Sequence, residues 1–388
     1  MDPLVPPNPP VGLYVHVPFC DGKCRYCGFY SVPYDAALAD RYLGALEREL
    51  ARRQEEYSPG PMETVYVGGG TPSLLDPAQL IRLCKLVTKH VRLAGGAEWT
   101  VECNPGTLDI GKARLLAEQG VNRISIGAQS FDDRVLRFLG RRHVTADTRA
   151  AVQSVRTAGI TNYGVDLIAC IPGVGARDWH QTLQKAMDLA PTHVSVYALT
   201  AEEGSALVRM VADRTVALKD DAEQLDGLDV AASLLEGRGY RRYEISNYAL
   251  NGHECRHNQA CWRGQGYLGV GPSASSHVND LRWTNDHDLL QYIEDVESGG
   301  EPSRSVERLT PQTKCAELLV FGIRMNEGVD ARSALARCGV QESEWGCSVN
   351  KRLQALGEDG LVVQKDGRWS LTPRGRGLAD HVGRELLP

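Results

Sequence analysis

A sixfold alternation of β-rich and helical segments between residues 13 and 200 most constrains how this chain folds. Each short apolar run is followed by a stretch with the period of an amphipathic helix. Strands are predicted at Leu13–Val17, Thr64–Val67, Glu98–Glu102, Arg123–Ile126, Gly164–Ile168 and His193–Tyr197. Helices are predicted at Ala36–Arg53, Pro77–His90, Asp109–Gln119, Ala146–Ala158 and Trp179–Leu189. This is an α/β fold with parallel strands, either a barrel or a doubly wound sheet.

Composition indicates a folded chain of two or three domains. The 388 residues are 42% hydrophobic and 24% charged. Lys and Arg number 43 against 49 Asp and Glu, for a net charge of −6, and the charges are interspersed, so no nucleic-acid partner is expected. No apolar run is long enough to span a membrane, and residues 1–10 do not resemble a signal peptide. We therefore expect a cytoplasmic protein.

The pattern changes towards the carboxyl terminus. A helix at Leu218–Arg238 and a strand at Tyr240–Ser246 are predicted first. After about Leu309, helical patterns precede a hairpin-like Leu361–Leu371, which predicts a helix-plus-hairpin, winged-helix-like domain. The expected domains are an N-terminal tail at 1–12, an α/β unit with an extension at 13–290, and the C-terminal domain at 305–388.

Three closely spaced cysteines, Cys20, Cys24 and Cys27, follow the first predicted strand in the pattern CxxxCxxC. The chain has eleven cysteines, and disulfide frameworks are typical of small secreted proteins, so reduced thiols are expected. A [4Fe–4S] cluster normally takes four thiolates. Three local ligands would leave one iron open to a chelating molecule, much as catalytic zinc sites keep one open position. A zinc site is the alternative.

Polar or glycine-rich residues stand at the ends of the predicted strands. The GGGTP sequence at residues 68–72 follows the second strand, Glu102 ends the third, Gln129 follows the fourth, and Asp166 lies in the fifth. Singly, each is explained by a tight turn or a solvated strand end. Because the carboxyl ends of parallel strands meet at one edge, together they predict a ligand site.

These motifs, taken together, resemble the radical S-adenosylmethionine (SAM) superfamily. The matching segments are YVHVPFC running into CxxxCxxC, then GGGTP, ECNP, RISIGAQSF, LGRRH and GVDLIACIPG. They are most similar to the branch that contains the oxygen-independent coproporphyrinogen III oxidase and the HemW family. The resemblance extends over essentially the whole chain and implies a partial (β/α)6 barrel.

The resemblance also implies roles for individual residues. Cys20, Cys24 and Cys27 would ligate a [4Fe–4S] cluster, and SAM would chelate its open iron. Tyr14 and Tyr26 would border the cluster and SAM. The other implied SAM contacts are Gly69, Gly70, Thr71, Glu102, Gln129, Arg141, Asp166 and Ala198. An electron donor for the cluster is an implied partner, because a reduced cluster can cleave SAM to a 5′-deoxyadenosyl radical.

Departures from the oxidase pattern favour the HemW family, which is associated with binding haem and delivering it to acceptor proteins. Phe29 stands where the oxidase has a fourth cysteine, and only thirteen residues precede Tyr14. His257, Cys261 and Trp262 lie in a segment that resembles the family's HNxxYW haem-binding motif, with cysteine in place of tyrosine. Imidazole is a common haem ligand. The alternative is that these residues only anchor a loop.

The sequence thus predicts a haem-binding protein that holds a [4Fe–4S] cluster and SAM and delivers haem to an acceptor protein. Any membrane contact would be peripheral and made through the acceptor. Enzymatic activity is left open. A methyltransferase or porphyrin-modifying enzyme would use the same cluster and SAM residues.

Overall fold

The structure is a computed structural model and describes residues 9–388. The first eight residues of the predicted N-terminal tail lie outside the described residues, and the first strand begins at Pro10. The strands are β1 (Pro10–Val17), β2 (Phe19–Cys20), β3 (Val32–Pro33), β4 (Met62–Gly69), β5 (Leu93–Cys103), β6 (Arg123–Gln129), β7 (Asn162–Ala169), β8 (His193–Ala198), β9 (Arg241–Arg242), β10 (Asn247–Ala249), β11 (Gly266–Val270), β12 (Ser275–Val278), β13 (Leu281–Asn285), β14 (Arg304–Arg308), β15 (Val362–Lys365) and β16 (Arg368–Leu371).

Helices alternate with these strands through the first half of the chain and dominate the last fifth. They are α1 (Ala36–Tyr57), α2 (Pro77–His90), α3 (Ile110–Glu118), α4 (Asp133–Leu139), α5 (Thr145–Thr157), α6 (Ala176–Met187), α7 (Ala206–Ala212), α8 (Asp221–Gly237), α9 (Arg256–Trp262), α10 (Leu289–Glu297), α11 (Pro311–Gly322), α12 (Ala331–Arg337), α13 (Glu344–Glu358), α14 (Pro373–Gly377) and α15 (Ala379–Leu386). Single-turn 3-10 helices lie at Pro72–Leu74 and Pro105–Thr107. None of these described helices is both long and apolar enough to cross a membrane.

Six parallel strands form the centre of the sheet, as the sixfold alternation predicts. They pair in the order β1, β4, β5, β6, β7, β8. Strand β11 extends the sheet in parallel beyond β1, and β12, β13 and β14 follow it antiparallel. Antiparallel β10 and β9 lie beyond β8. Over the described residues the twelve strands form a linear order, so the barrel is partial and open.

Capping side chains explain where several helices begin. Asp35 accepts a hydrogen bond from the Leu38 amide at the start of α1. At α2, Asp76 and Gln79 form a reciprocal capping box. Each of these helices buries one apolar face against the sheet and returns the chain to start the next parallel strand, so the carboxyl ends of the six parallel strands lie at the same edge.

The prediction of one strand at Tyr240–Ser246 is wrong for the second half of this segment. The structure has two short antiparallel strands, β9 and β10, with a turn between them. The Glu244 carboxylate accepts a hydrogen bond from the Ser246 amide (3.0 Å), so a side chain satisfies the backbone there in place of a neighbouring strand.

The carboxyl-terminal part has helices and one hairpin around its own apolar cluster, as predicted. Trp345, Leu353 and Leu386 are buried in this cluster. Strands β15 and β16 pair antiparallel, and the turn residues Asp366 and Gly367 have positive φ angles of 51° and 78°. Two consecutive left-handed residues are what a tight hairpin turn requires, and Asp-Gly supplies them at low cost.

Candidate functional site

The three predicted cluster cysteines lie in one loop whose ends are held together. Cys20 ends β2, which pairs in parallel with β3 on the far side of the loop. The Val32 amide donates to the Pro18 carbonyl (2.7 Å), and the Tyr34 amide donates to the Cys20 carbonyl (3.1 Å). All three cysteines are free and partly exposed. Backbone hydrogen bonds therefore shape the loop and leave the thiols available as ligands.

The middle of this loop is attached to helices α4 and α7. The Arg25 amide donates to the Leu139 carbonyl (3.0 Å), and the Arg25 carbonyl accepts from the Leu207 amide (2.7 Å). Gly140, with φ of 78°, passes so close that a Cβ there would lie 3.2 Å from the Arg25 nitrogen. Segments far apart in sequence thus hold the cluster loop in place.

Sulfur atoms of the loop contact polar side chains from the turn after β4 and from the segment after α4. Cys20 Sγ lies 3.6 Å from Thr71 Oγ1, and Arg141 donates from Nη1 to Cys24 Sγ at 3.6 Å. Burial raises the pKa of the Cys27 thiol. Three thiols in one loop are the kind of donor that an iron–sulfur cluster takes.

The glycine-rich turn after β4 lies directly on the backbone that leads into the cluster loop. The Gly70 amide donates to the Val17 carbonyl (2.8 Å), and the Thr71 amide donates to the Phe19 carbonyl (2.7 Å). A Cβ on Gly70 would lie 2.6 Å from the Phe19 carbonyl oxygen, and Gly69 has φ of 103°. Glycine is needed here because the two backbones approach closely.

Two carboxyl groups, one from β5 and one from β7, line the same space. Tyr66 donates its hydroxyl to Glu102 Oε1 (2.7 Å), and the Gly69 amide donates to Oε2 (3.3 Å). Ser125 Oγ lies 3.2 Å from both Asp166 carboxyl oxygens. Burial raises the pKa of Glu102 to about 7, and it also raises the pKa of Asp166. Both carboxyls are suited to accept hydrogen bonds from hydroxyl or ammonium donors of a ligand.

Arg141 and Gln129 complete the polar side of this space. Arg141 donates from Nη2 to Asn104 Oδ1 (3.0 Å) and to the Gly127 carbonyl (2.8 Å). Gln129 has a left-handed φ of 63°, at a point where the register between β6 and β7 shifts. Such a backbone conformation costs energy in a residue with a side chain and is enriched at binding sites.

Two cavities lie at this edge of the sheet. The first, of about 820 Å³, we call the strand-end cavity. It is lined by Cys27 and by these predicted SAM residues: Tyr26, Gly69, Gly70, Thr71, Glu102, Gln129, Arg141, Asp166 and Ala198. The second, of about 810 Å³, we call the histidine cavity, and it is lined by Tyr14 and His257. Phe29, Tyr66 and Asn258 border both cavities, so the two adjoin.

His257 is buried in the wall of the histidine cavity in a fixed orientation. Its Nδ1 lies 2.9 Å from Thr64 Oγ1, which leaves Nε2 for a ligand. Burial lowers the pKa of His257 to about 4, so the ring is neutral at physiological pH and able to coordinate iron. The Glu98 carboxylate accepts from the amides of Arg256 and His257 (both 3.1 Å), which anchors the first turn of α9.

Cys261 and Trp262 are placed differently from each other. Cys261 lies one helical turn after His257 and borders the histidine cavity too. Trp262 lines a separate cavity of about 190 Å³, where its ring meets Phe321 (5.9 Å between centroids) and the Arg324 guanidinium (5.5 Å). A step of one residue turns a helical side chain by about 100°. A haem contact through Trp262 therefore stays a prediction.

Some residues at the site had no role in the sequence interpretation. His16 lies between Tyr14 and Tyr30, with the Tyr14 hydroxyl 3.2 Å from its Nδ1 and the Tyr30 carbonyl 3.1 Å from its Nε2. The two-residue period of β1 places His16 on the face of Tyr14, and the same period on β4 places Tyr66 on the face of Gly68. Strand alternation was the signal that would have found both.

Comparisons with known proteins agree with the motifs. Residues 14–186 match the model of the Radical SAM superfamily, and residues 309–378 match that of the HemN C-terminal domain. "Heme chaperone HemW" of Mycobacterium tuberculosis is 35% identical over 384 residues, covering 98% of this chain and 96% of that protein. The Bacillus subtilis protein of the same name is 30% identical over 370 residues, covering 95% and 97%. This chain belongs to the HemW family.

A solved structure relates the HemW family to an enzyme fold. Coproporphyrinogen III oxidase (HemN) from Escherichia coli, described as a radical SAM enzyme, has a TM-score of 0.85 and 26% identity, covering 98% of this chain and 91% of that one. In this HemW-family chain, Phe29 is 66% exposed and lies where the two cavities meet. Lys23 donates to the Phe29 carbonyl. An aromatic ring thus occupies the position that distinguishes the sequence from the oxidase pattern.

Proposed function

We propose that this chain holds a [4Fe–4S] cluster on Cys20, Cys24 and Cys27, binds SAM in the strand-end cavity, and binds haem as cargo for delivery to an acceptor protein. The observation that carries the proposal is His257, a neutral and oriented imidazole in the wall of a cavity that adjoins the cluster loop. The relatives named as haem chaperones support the same cargo.

The cluster and SAM fit the residues that are present. The loop carries three thiols, and the glycine turn packs against it too closely to leave room for a side chain. Such an arrangement is suited to hold a cluster beside a small ligand. When bound and reduced, the cluster supplies an electron that can cleave SAM. The residues of this chain place and shield the ligand: Glu102 and Asp166 accept hydrogen bonds, and Arg141 orients Cys24. An electron donor is part of the proposal.

Haem fits the histidine cavity for two reasons. The cavity offers one axial ligand, His257, with Cys261 one turn further along the same helix. Thr64 holds Nδ1, and a hydrogen bond at the second nitrogen of a ligating histidine sets its orientation and basicity. The exposed ring of Phe29 at the cavity edge provides an apolar surface of the kind that a macrocycle covers.

The cluster is tested by single Cys→Ala variants after anaerobic reconstitution. Cys20→Ala, Cys24→Ala and Cys27→Ala should each lose most of the iron and acid-labile sulfide. Cys347→Ala is the matched control, because Cys347 is exposed on α13 far from the loop in sequence. Full iron content in all three loop variants would reject the cluster assignment, and one zinc per chain without sulfide would favour the zinc alternative.

Haem binding is tested by absorbance titration of the reconstituted protein. Wild type should bind about one haem per chain, and His257→Ala should bind it much more weakly or with an altered Soret band. His180→Ala, a change of an exposed histidine on α6, should behave as wild type. Haem should then pass to an apo-acceptor that changes spectrum on loading. Unchanged haem binding by His257→Ala would reject this site.

A second candidate is a radical SAM enzyme that modifies a porphyrin. The near full-length structural likeness to coproporphyrinogen III oxidase favours it. Incubating reduced protein with SAM and coproporphyrinogen III separates the two candidates. A decarboxylated or methylated product together with 5′-deoxyadenosine or S-adenosylhomocysteine would establish the enzyme, whereas haem binding without such products supports the carrier.

A further inference from the structure

The strand-end cavity has a second wall that comes from the carboxyl-terminal part of the chain. From this part, the cavity is lined by Arg324 just after α11, Arg376 in α14 and Arg384 in α15. We call these three residues the arginine wall. Nothing in the sequence pattern places them near the SAM residues, since more than 120 residues separate them from Ala198.

The positive charge of this wall is poorly neutralised within the described part of the chain. Arg324 makes one ion pair, from Nη1 to Asp380 Oδ1 at 3.1 Å, while its Nε is buried without a partner. Neither Arg376 nor Arg384 has an ion pair among the described residues. Burial and the neighbouring Arg242 lower the pKa of Arg376, and the nearby Glu236 and Asp229 only partly offset this effect. A buried guanidinium nitrogen without a partner, such as Arg324 Nε, is costly, and the partly buried Arg376 and exposed Arg384 make no ion pair that would compete with an anionic ligand.

SAM does not explain this wall. The sulfonium and ammonium groups of SAM suit the carboxyls of Glu102 and Asp166, which line the same cavity, and its single carboxylate would chelate the open iron of the cluster. A ligand for the arginine wall must instead carry anionic groups, and arginine binds carboxylates through paired hydrogen bonds. Apolar side chains beside the wall, Ile245 and Leu378, indicate that the rest of the ligand is apolar.

We propose that the arginine wall binds the two propionate carboxylates of the haem cargo, and so sets which edge of the macrocycle faces the C-terminal domain. The inference rests on the proposed haem-binding function. The two cavities adjoin at Phe29, Tyr66 and Asn258, and Asn258 follows His257 directly. A haem beside His257 therefore has a continuous path to the arginine wall. Arg324 also stacks on Trp262 (5.5 Å), which couples the wall to the haem motif.

The test compares haem with its dimethyl ester, in which both propionates are uncharged. The reconstituted full-length protein is titrated with each compound, for wild type, Arg376→Gln, Arg384→Gln and the control Arg374→Gln. Arg374 lies on the same helix as Arg376 but donates to the Asp359 carbonyl (2.9 Å) away from the cavity. Wild type and the control should bind haem about tenfold more tightly than the diester, and this preference should shrink to about threefold or less in the other two variants.

Each outcome has a definite meaning. Equal affinity of wild type for haem and diester, both dependent on His257, would overturn the arginine wall and leave the proposed function standing. Failure of wild type to bind either compound would reject the proposed function, and the inference with it. If Arg376→Gln fails to fold, Arg384→Gln carries the test, because Arg384 is exposed and its replacement is tolerated in a helix. An undiminished preference for haem in both Arg376→Gln and Arg384→Gln would also overturn the inference.

Discussion

Replacing Gly70 with alanine should weaken both SAM binding and the cluster loop. The new Cβ would lie 2.6 Å from the Phe19 carbonyl oxygen and 2.9 Å from that of Val17, whereas ordinary contacts lie at 3.4–4 Å. Both obstacles are backbone, so the turn must move by about 0.5–0.8 Å, which strains hydrogen bonds at the Gly70 and Thr71 amides. Overpacking of this kind costs about 1–3 kcal/mol, equivalent to a loss of about 5- to 150-fold in SAM affinity if the strain falls on the binding site.

Isothermal titration of reconstituted protein with SAM measures the affinity, and urea unfolding measures how much of the cost falls on stability. Gly60→Ala is the control, because Gly60 is exposed, lacks a positive φ, and has no heavy atom within 4 Å of an added Cβ. The reasoning would be refuted if Gly70→Ala had the same SAM affinity, iron content and urea midpoint as the control. Such a result would mean that the close approach of the two backbones has no energetic consequence.

Three further predictions concern other parts of the molecule. Burial raises the pKa of Glu102 to about 7, so lowering the pH from 7 to 6 protonates most of this carboxylate and should weaken SAM binding about fivefold. Glu102→Gln should remove this pH dependence. A wild-type SAM affinity that does not change over this pH range would contradict the prediction. Glu49→Ala should lower the free energy of unfolding in urea by about 3–5 kcal/mol, because buried Glu49 accepts from the Gly271 amide and the Tyr292 hydroxyl and pairs with buried Arg53. Glu47→Ala at the surface should lower it by at most about 1 kcal/mol. Similar losses in both variants would refute this prediction. Thr64→Val should weaken haem binding about tenfold and shift the Soret band, by removing the partner of His257 Nδ1, and an unchanged spectrum would count against His257 as the ligand.

Much of the central fold could be predicted because its signals are local. All six predicted parallel strands and the five helices between them are present, with ends within a few residues of their expected positions. The apolar period and the caps act over a few residues, so they are readable in the sequence. The strands β11 to β14 were missed because their Gly- and Ser-rich segments alternate weakly, and their pairing depends on contact with β1 and with one another.

The candidate site was predicted to different extents in its two halves. Nine of the ten expected SAM residues line one cavity, because seven of them lie at or just after the ends of parallel strands and the topology brings these ends together. The orientation of Trp262 towards Phe321 was not predictable, because it depends on how α9 packs against α11. Trp262 and His257 are close in sequence, but they point in different directions from the helix and therefore line different cavities.

The order of the chain therefore specifies the six βα units, the cysteine loop and the chemistry at each strand end, because these follow from residue types and spacings over a few positions. Contacts between distant segments specify the rest. Three features join segments more than 100 residues apart. They are the anchoring of the cluster loop by Leu139 and Leu207, the hydrogen bond between Thr64 and His257, and the arginine wall in the cavity of the SAM residues. Such contacts depend on the register and packing of whole elements, which no short sequence pattern encodes.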